Sequence, residues 1–128
     1  MVSKNYLIKA ERRLETAKFA FEKGYICSAV SNCYYALFNL MQAVVGEAEK
    51  KRWEHGGLPK TFAKTVFYKR LLPQEEIKGI VKFSERLYGL RRRADYSSEI
   101  LEDSEDAKQS LLLYLSRIEN LLNSLKEI

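Results

Sequence analysis

Long stretches of this 128-residue chain place apolar residues alternately three and four positions apart. This spacing lines apolar side chains along one face of an α-helix, because the helix repeats about every 3.6 residues. The first such stripe consists of Leu7, Ala10, Leu14, Ala17 and Phe21. Only two prolines and six glycines interrupt the chain, too few for a sandwich or barrel with many turns. The sequence therefore predicts an all-α protein.

Glycine and proline mark where the early helices should end and begin. Gly24 is predicted to end the first helix, since glycine favours the position just past a helix C-terminus. The second helix is predicted from about residue 25 to residue 45. Residues 46–58 are charged and contain glycine, so they are predicted to form a loop. A short helix should follow, with Pro59 near its first turn.

Two more helices complete the predicted fold. Pro73 is predicted to open the fourth helix. The last helix should begin near residues 103–104, because acidic residues follow there and favour the positive end of the helix dipole. We predict an antiparallel, up-and-down four-helix bundle with one short extra helix, forming a single domain over residues 1–128.

The formal net charge of the chain is +5, but it is unevenly distributed. Residues 47–93 carry thirteen Lys and Arg against six Asp and Glu, whereas residues 94–128 carry three against eight. The basic middle of the chain predicts either a surface that binds phosphate or an ordinary solvated helical surface.

Composition also argues against several classes of protein. No apolar run approaches the roughly 18 residues of a membrane-spanning helix, and the N-terminal segment lacks the apolar core of a signal peptide, so we expect a cytoplasmic protein without membrane contact. Cys27 and Cys33 fall on different sides of one helix and are predicted to be small core residues. His55 has no cysteine or second histidine at ligand spacing, so we expect no metal and no cofactor.

A second row of side chains runs along the second helix, beside its apolar stripe. It is polar but uncharged, whereas a helix face turned to water usually carries Lys and Glu. Such a row favours a contact in which hydrogen bonds are shared, a subunit interface or a cleft wall, over a merely exposed polar face. The row consists of Ser28, Asn32, Tyr35, Asn39 and Gln42.

The apolar stripe of the fourth helix ends on an arginine. Continuing the stripe past Ser84 and Leu87 leads to Arg91, with Asp95 one turn later as a ready partner. An inward arginine is costly unless it is paired, because a buried unpaired ion costs several kcal/mol. Either the helix emerges into solvent near residue 91, or the bundle keeps a polar pocket for an arginine with a function.

These features together resemble the HEPN domain family, and most closely its small prokaryotic members. The resemblance is carried by Gly24-Tyr25, Ala29, Tyr34-Tyr35-Ala36, His55 and the run Arg91-Arg92-Arg93-Ala94-Asp95-Tyr96, in this order. It extends over nearly the whole chain, from the first helix to the last.

The resemblance implies a helical bundle that forms a homodimer. In active HEPN ribonucleases an Arg-x(4–6)-His motif from each subunit meets its twin at the dimer cleft and cuts RNA, often as a toxin beside a small nucleotidyltransferase antitoxin. Arg91 matches the arginine of this motif, but Tyr96 occupies the place of the histidine. The departure puts nuclease activity in doubt.

Histidine suits RNA cleavage because it titrates near pH ~6.5 and serves as both acid and base, whereas tyrosine, with a pKa of about 10, is a poor base at neutral pH. The predicted catalytic residues are Arg91, Asp95, Tyr96 and, if its loop folds over the cleft, His55. The predicted binding residues are Asn32, Tyr35, Arg92 and Arg93. Arg92 and Arg93 are also compatible with a plain solvated surface.

Three functions are compatible with this reading of the sequence. The first is a homodimeric HEPN protein that binds RNA or a nucleotide at the dimer cleft, with weak or absent nuclease activity and a nucleotidyltransferase partner in a toxin–antitoxin-like system. The second is an active metal-independent endoribonuclease toxin with an altered Arg/Asp/Tyr centre. The third is a non-catalytic protein-interaction module in which Arg91 and Asp95 form a purely structural pair.

Overall fold

The computed structural model describes residues 2–46, 53 and 56–128. Within these ranges the chain forms α-helices and no strand, so the predicted all-α class is confirmed. His55 lies outside the described residues. The helices are α1 (Lys4–Glu22), α2 (Ile26–Val45), α3 (Gly57–Tyr68), α4 (Gln74–Ile77), α5 (Ile80–Tyr96) and α6 (Glu105–Lys126), with a short 3-10 helix at Leu101–Asp103 before α6.

Helices α1 and α2 form an antiparallel pair. The predicted stop between them is confirmed, because Gly24 has a φ of +80° and lies just past the end of α1. The Ser3 amide, at the start of α1, donates a hydrogen bond of 2.7 Å to the Ala43 carbonyl near the end of α2. This hydrogen bond links the N-terminus of α1 to the C-terminal part of α2.

Helix α2 is the central helix of the fold. It contacts α1, α3, α5 and α6, and its apolar stripe is fully buried. Cys33 lies in this stripe as predicted, and burial raises the pKa of its thiol. Cys27 is half-buried at the edge of the core. Because α2 touches nearly every long helix, its polar row meets side chains that come from distant parts of the sequence.

Glu102 caps the N-terminus of α2 from the short 3-10 helix. The Cys27 amide donates to Glu102 Oε2 over 2.9 Å, and this hydrogen bond is the main reason why the pKa of Glu102 lies below its usual range. The carboxylate serves one of the amide donors that every helix start leaves without an intrahelical partner. The segment that joins α5 to α6 is thereby attached to the central helix.

The predicted fourth helix is wrong in one respect, because it is broken into α4 and α5. Pro73 precedes α4 as expected, but Lys78 is extended and Gly79 has a φ of +75°. Glycine adopts this left-handed conformation without the steric penalty that a Cβ atom brings. An isolated glycine inside an apolar stripe is compatible with a continuous helix, so the spacing alone did not reveal the break.

Two glycine substitutions should separate the effect of this break from that of helix propensity. Gly79→Ala is expected to lower the free energy of unfolding by about 1 kcal/mol, because alanine disfavours a positive φ. Gly89→Ala, inside α5, is the matched control and should raise it by about 0.5–1 kcal/mol. Neither new Cβ would meet an atom within 4 Å. Urea unfolding measures both, and shifts of the same sign would contradict the left-handed geometry at residue 79.

The third predicted helix is confirmed, with Pro59 in the first turn of α3. Its start at Gly57 is earlier than the predicted loop over residues 46–58 allowed. Among the described helices, none combines the length and the apolar character needed to cross a bilayer.

Candidate functional site

Arg91 is the charged residue that the fold buries most deeply in the part of the chain it describes. It follows Ile80, Ser84 and Leu87 on the buried face of α5, and only 7% of its surface is exposed. The helix therefore does not emerge into solvent at this position. Of the two alternatives that the sequence left open, the one in which the stripe stays inside the bundle up to Arg91 is observed.

Three tyrosines surround the guanidinium group of Arg91. Its carbon Cζ lies 4.9 Å from the ring centroid of Tyr35, 5.3 Å from that of Tyr34 and 5.4 Å from that of Tyr96. A cation within about 6 Å of an aromatic ring is attracted to its face, and more strongly where water is excluded. We call Arg91, Asp95 and these three tyrosines the arginine cluster.

Two of the tyrosine hydroxyls accept hydrogen bonds from one nitrogen of Arg91. Its NH2 group donates to Tyr35 Oη over 2.7 Å and to Tyr96 Oη over 3.2 Å. Arginine can only donate, so both hydroxyl oxygens act as acceptors here and each keeps its own proton to donate elsewhere. No residue in the described ranges accepts either proton. The cluster thus offers two hydroxyl donors whose oxygens lie 2.7 Å and 3.2 Å from the same arginine nitrogen.

Asp95 balances the charge of Arg91 from one helical turn away. Its Oδ2 lies 3.2 Å from Arg91 Nε, close enough for an ion pair, and it also accepts a hydrogen bond from Ser31 Oγ. The direction of the Nε–H bond does not suit a hydrogen bond, so Nε is buried without an acceptor among the described residues. We regard this contact as an ion pair only. A buried donor without an acceptor is costly, and such groups are rare in folded proteins.

Tyr34 closes the inner side of the cluster. It is 1% exposed, and burial raises the pKa of its hydroxyl although the nearby Arg91 acts in the opposite direction. Its ring packs edge-on against Tyr35, with the centroids 5.3 Å apart. The Tyr34 side chain therefore stays uncharged, and its ring packs against Tyr35 and holds it in position.

Arg13 of α1 joins the cluster from outside and was missed in the sequence. Its guanidinium carbon lies 5.4 Å from the Tyr35 ring centroid, and its NH1 donates to Asn32 Oδ1 over 3.2 Å. The side chain is exposed, and no carboxylate in the described ranges pairs with it. In the sequence Arg13 is an ordinary solvent-facing residue of an amphipathic helix, so only the packing of α1 on α2 reveals its place.

The structure brings together most of the residues that the sequence predicted. Arg91, Asp95, Tyr96 and Tyr35 lie in the cluster, and Asn32 reaches it through Arg13. The polar row on α2 therefore forms part of the site, although Ser28 at its start is exposed and Asn39 and Gln42 bond to each other.

The other two predicted binding residues lie on the surface. Arg92 is exposed. Arg93 pairs with Glu99 through two hydrogen bonds, and this pairing raises the pKa of Arg93 and lowers the pKa of Glu99. Arg93 is therefore already engaged by a carboxylate, whereas Arg13 is not.

The charge and exposure of the site suit an anion. Arg13 and Arg91 against Asp95 leave one net positive charge around two free hydroxyl donors. Tyr96 is 69% exposed as a residue, whereas Arg91, to which its hydroxyl is hydrogen-bonded, is enclosed. The two tyrosine hydroxyls and Arg13 can donate hydrogen bonds, and the enclosed charge of Arg91 lies behind the hydroxyls.

The sequence of the chain is similar to those of known proteins. The HEPN domain family matches residues 3–128. Two proteins of Methanocaldococcus jannaschii that are named as candidate toxins are similar to this chain. One is 29% identical over 103 residues, which cover 80% of this chain and 67% of the relative. The other is 29% identical over 123 residues, which cover 93% of this chain and 85% of the relative.

Proposed function

Because the chain belongs to the HEPN domain family, we propose that it is a toxin-like protein that binds RNA or a nucleotide at the arginine cluster. We further propose that it acts as a homodimer, with weak or absent nuclease activity, beside a nucleotidyltransferase partner that restrains it. The relatives named as candidate toxins support a toxin–antitoxin-like role. An antiparallel, up-and-down arrangement of the four long helices belongs to the same proposal.

The observation that carries this proposal is the pair of tyrosine hydroxyls held by one arginine nitrogen. Because Arg91 NH2 supplies the proton for both contacts, the hydroxyl protons of Tyr35 and Tyr96 are available to an incoming acceptor. Phosphate oxygens are strong acceptors, and hydrogen bonds to charged groups are roughly twice as strong as neutral ones. Arg13 adds an exposed cation beside Tyr35.

Binding without efficient cleavage follows from the residue types in the cluster. A tyrosine hydroxyl, with an ordinary pKa of about 10, donates a hydrogen bond to phosphate well but takes a proton from a ribose hydroxyl poorly at neutral pH. The carboxylate of Asp95 is engaged by Arg91 and Ser31. Its proximity to Tyr96 and Arg91 is the one observation that favours the alternative, an active ribonuclease with an altered centre.

Homodimerisation is supported by the character of the site itself. The cluster and the half-buried part of the polar row lie where α1, α2 and α5 meet, and Tyr96 is largely exposed beside them. A second copy placed there would give two positive clusters facing one strand of RNA. Sedimentation at micromolar concentration checks this directly, and a monomer would remove the composite site while leaving a single-site binder.

The test of binding is RNA affinity with and without the two hydroxyls. Tyr35→Phe and Tyr96→Phe should each weaken binding of a labelled 12-mer RNA by about tenfold, the value of one hydrogen bond to a charged group. Tyr25→Phe is the matched control, because Tyr25 is 63% exposed at the far end of α2 and lies outside the cluster. The affinity of the wild type should fall steeply with salt, as binding to phosphates requires.

Two outcomes would decide against the proposal. Flat salt dependence, or equal affinity of all three phenylalanine variants and the wild type, would mean that the cluster does not contact phosphate. The interaction-module hypothesis, in which Arg91 and Asp95 only stabilise the fold, would then be the better account.

A further inference from the structure

An exposed aromatic pair lies at the end of α3, away from the arginine cluster. Phe67 is 55% exposed and Tyr68 is 78% exposed, and their rings meet edge to face with centroids 5.6 Å apart. Two adjacent, largely exposed rings are unusual on a solvated surface, because each removes apolar area from the core and presents it to water. Adjoining exposed aromatic rings, unlike a single exposed ring, are a common feature of binding surfaces.

Two grooves adjoin the aromatic pair. The larger, of 770 Å³, runs between α3 and α4, and the smaller, of 320 Å³, continues past the end of α3. Both are lined by Phe67, Tyr68, Gln74 and Ile77. The rings therefore stand between two connected depressions, so a chain-like ligand has room on both sides of them.

The rim of these grooves is basic. Lys64 and Lys78 line the larger groove and Arg70 lines the smaller one, against a single carboxylate, Glu75. None of the three cations forms an ion pair with a carboxylate in the ranges that the structure describes. The surface therefore combines stacking area with positive charge that is not neutralised.

Arg70 occupies a position that glycine would occupy with less strain. It has a φ of +52° just past the end of α3, where the Leu71 amide donates to the Val66 carbonyl and closes the helix. This left-handed position usually carries glycine, because a Cβ atom is strained there. Arginine is strained at this position, but it places a charged side chain beside the aromatic pair.

We propose that the surface between α3 and α4 is a second binding site, for a single-stranded polynucleotide. Its bases stack on Phe67 and Tyr68, and its phosphates lie against Lys64, Arg70 and Lys78. Proteins that bind single strands combine exposed aromatic rings with a positively charged groove in this way. The cations on the rim, which no carboxylate in the described ranges neutralises, favour a polyanion over a protein partner.

This site is separate from the arginine cluster and is tested on its own. The probes are a 12-mer oligouridine and a 12-mer oligothymidine, both with 4-thio bases for cross-linking. In a chain that also carries Tyr35→Phe and Tyr96→Phe, which weakens binding at the arginine cluster, Tyr68→Ala and Phe67→Ala should each lower the remaining affinity by tenfold or more, the usual effect of one lost stacking contact. Phe19→Ala is the matched control, because Phe19 is 61% exposed on α1 and also lies near a lysine, Lys23.

The Arg70→Gly variant tests whether weaker binding could result from a loss of folding. It should raise the melting temperature, since it relieves the left-handed strain, and yet weaken binding severalfold because a cation is lost. Mass spectrometry should find cross-links at Phe67 or Tyr68. A preference for oligouridine would identify RNA as the ligand, and equal binding would identify single strands of either kind.

The possible results also distinguish this site from the arginine cluster. Cross-links confined to the segments around Tyr35 and Tyr96, with unchanged affinity of Tyr68→Ala, would overturn the second site and leave the proposed function standing. Cross-links confined to α3 would support the second site and would count against RNA binding at the arginine cluster. If neither oligonucleotide binds, the second site is refuted, and the exposed rings would instead suit a protein partner.

Discussion

The Tyr96→His variant is expected to cleave RNA about 10²–10⁴ times faster than the wild-type chain, the gain that a well-placed general acid or base typically provides. Position 96 follows Arg91 at the spacing that the HEPN motif requires of its histidine. Tyr96 is 69% exposed, so the substitution costs little packing beyond its contact with Arg91. The new imidazole would lie within reach of the arginine side chain that now contacts the tyrosine hydroxyl.

The physical reason for the gain is the difference in proton affinity. Histidine, with a pKa of about 6.5, is present in both protonation states at neutral pH, whereas tyrosine, with a pKa of about 10, stays protonated. Cleavage at the ribose 2′-hydroxyl needs one group to take a proton and another to give one. The present cluster offers donors at Tyr35 and Tyr96, and its carboxylate, Asp95, is already engaged.

Cleavage of an end-labelled RNA in EDTA, followed on a gel, measures the effect without a metal-dependent contaminant. Tyr96→Phe is the matched control and should be as slow as the wild type. Adding Arg91→Ala to Tyr96→His should abolish the gain. If Tyr96→His is no faster than Tyr96→Phe, the missing imidazole is not what limits cleavage. A wild type that already cuts rapidly would favour the active-ribonuclease alternative.

Arg91→Ala is expected to lower the free energy of unfolding by about 2–4 kcal/mol, because it leaves a cavity among three rings and removes the partner of Asp95. The side chain of Arg91 is 8% exposed and that of Asp95 is 28% exposed, so the loss should fall short of that for a fully buried pair. The melting temperature should fall by on the order of 10 °C.

Arg92→Ala provides the control for this prediction, since Arg92 is the exposed neighbour on the same helix and should change stability by less than about 0.5 kcal/mol. Urea unfolding of both variants gives the comparison. A second measurement separates the two roles of Arg91. Arg91→Met fills more of the cavity and should recover part of the stability, but it cannot hold the two hydroxyls and should not recover RNA binding. Equal stability of the two alanine variants would contradict the buried cluster.

The sequence was sufficient for the class of fold and for the central residue of the site. Apolar spacing is a local property of an α-helix, and it identified the long helices and the end of α1 at Gly24. Extending one stripe by the same rule placed Arg91 inward. The pairing with Asp95 also follows from local geometry, because residues four apart lie on one helix face.

Tertiary structure decided which side chains meet across helices. Tyr35 and Arg91 lie 56 positions apart in sequence, and Arg13 reaches Asn32 across another helix. The left-handed Gly79 and the outward Tyr68 also had no sufficient signal in the spacing. The spacing predicts Phe67 on the inward face of its helix beside Val66, and this is wrong, because Phe67 is 55% exposed. Periodicity fixes the face of a helix on which a residue lies, but the packing of helices against one another fixes what that face touches. Helix packing therefore decides which residues make up the arginine cluster. Helix periodicity decides that its arginine points inward.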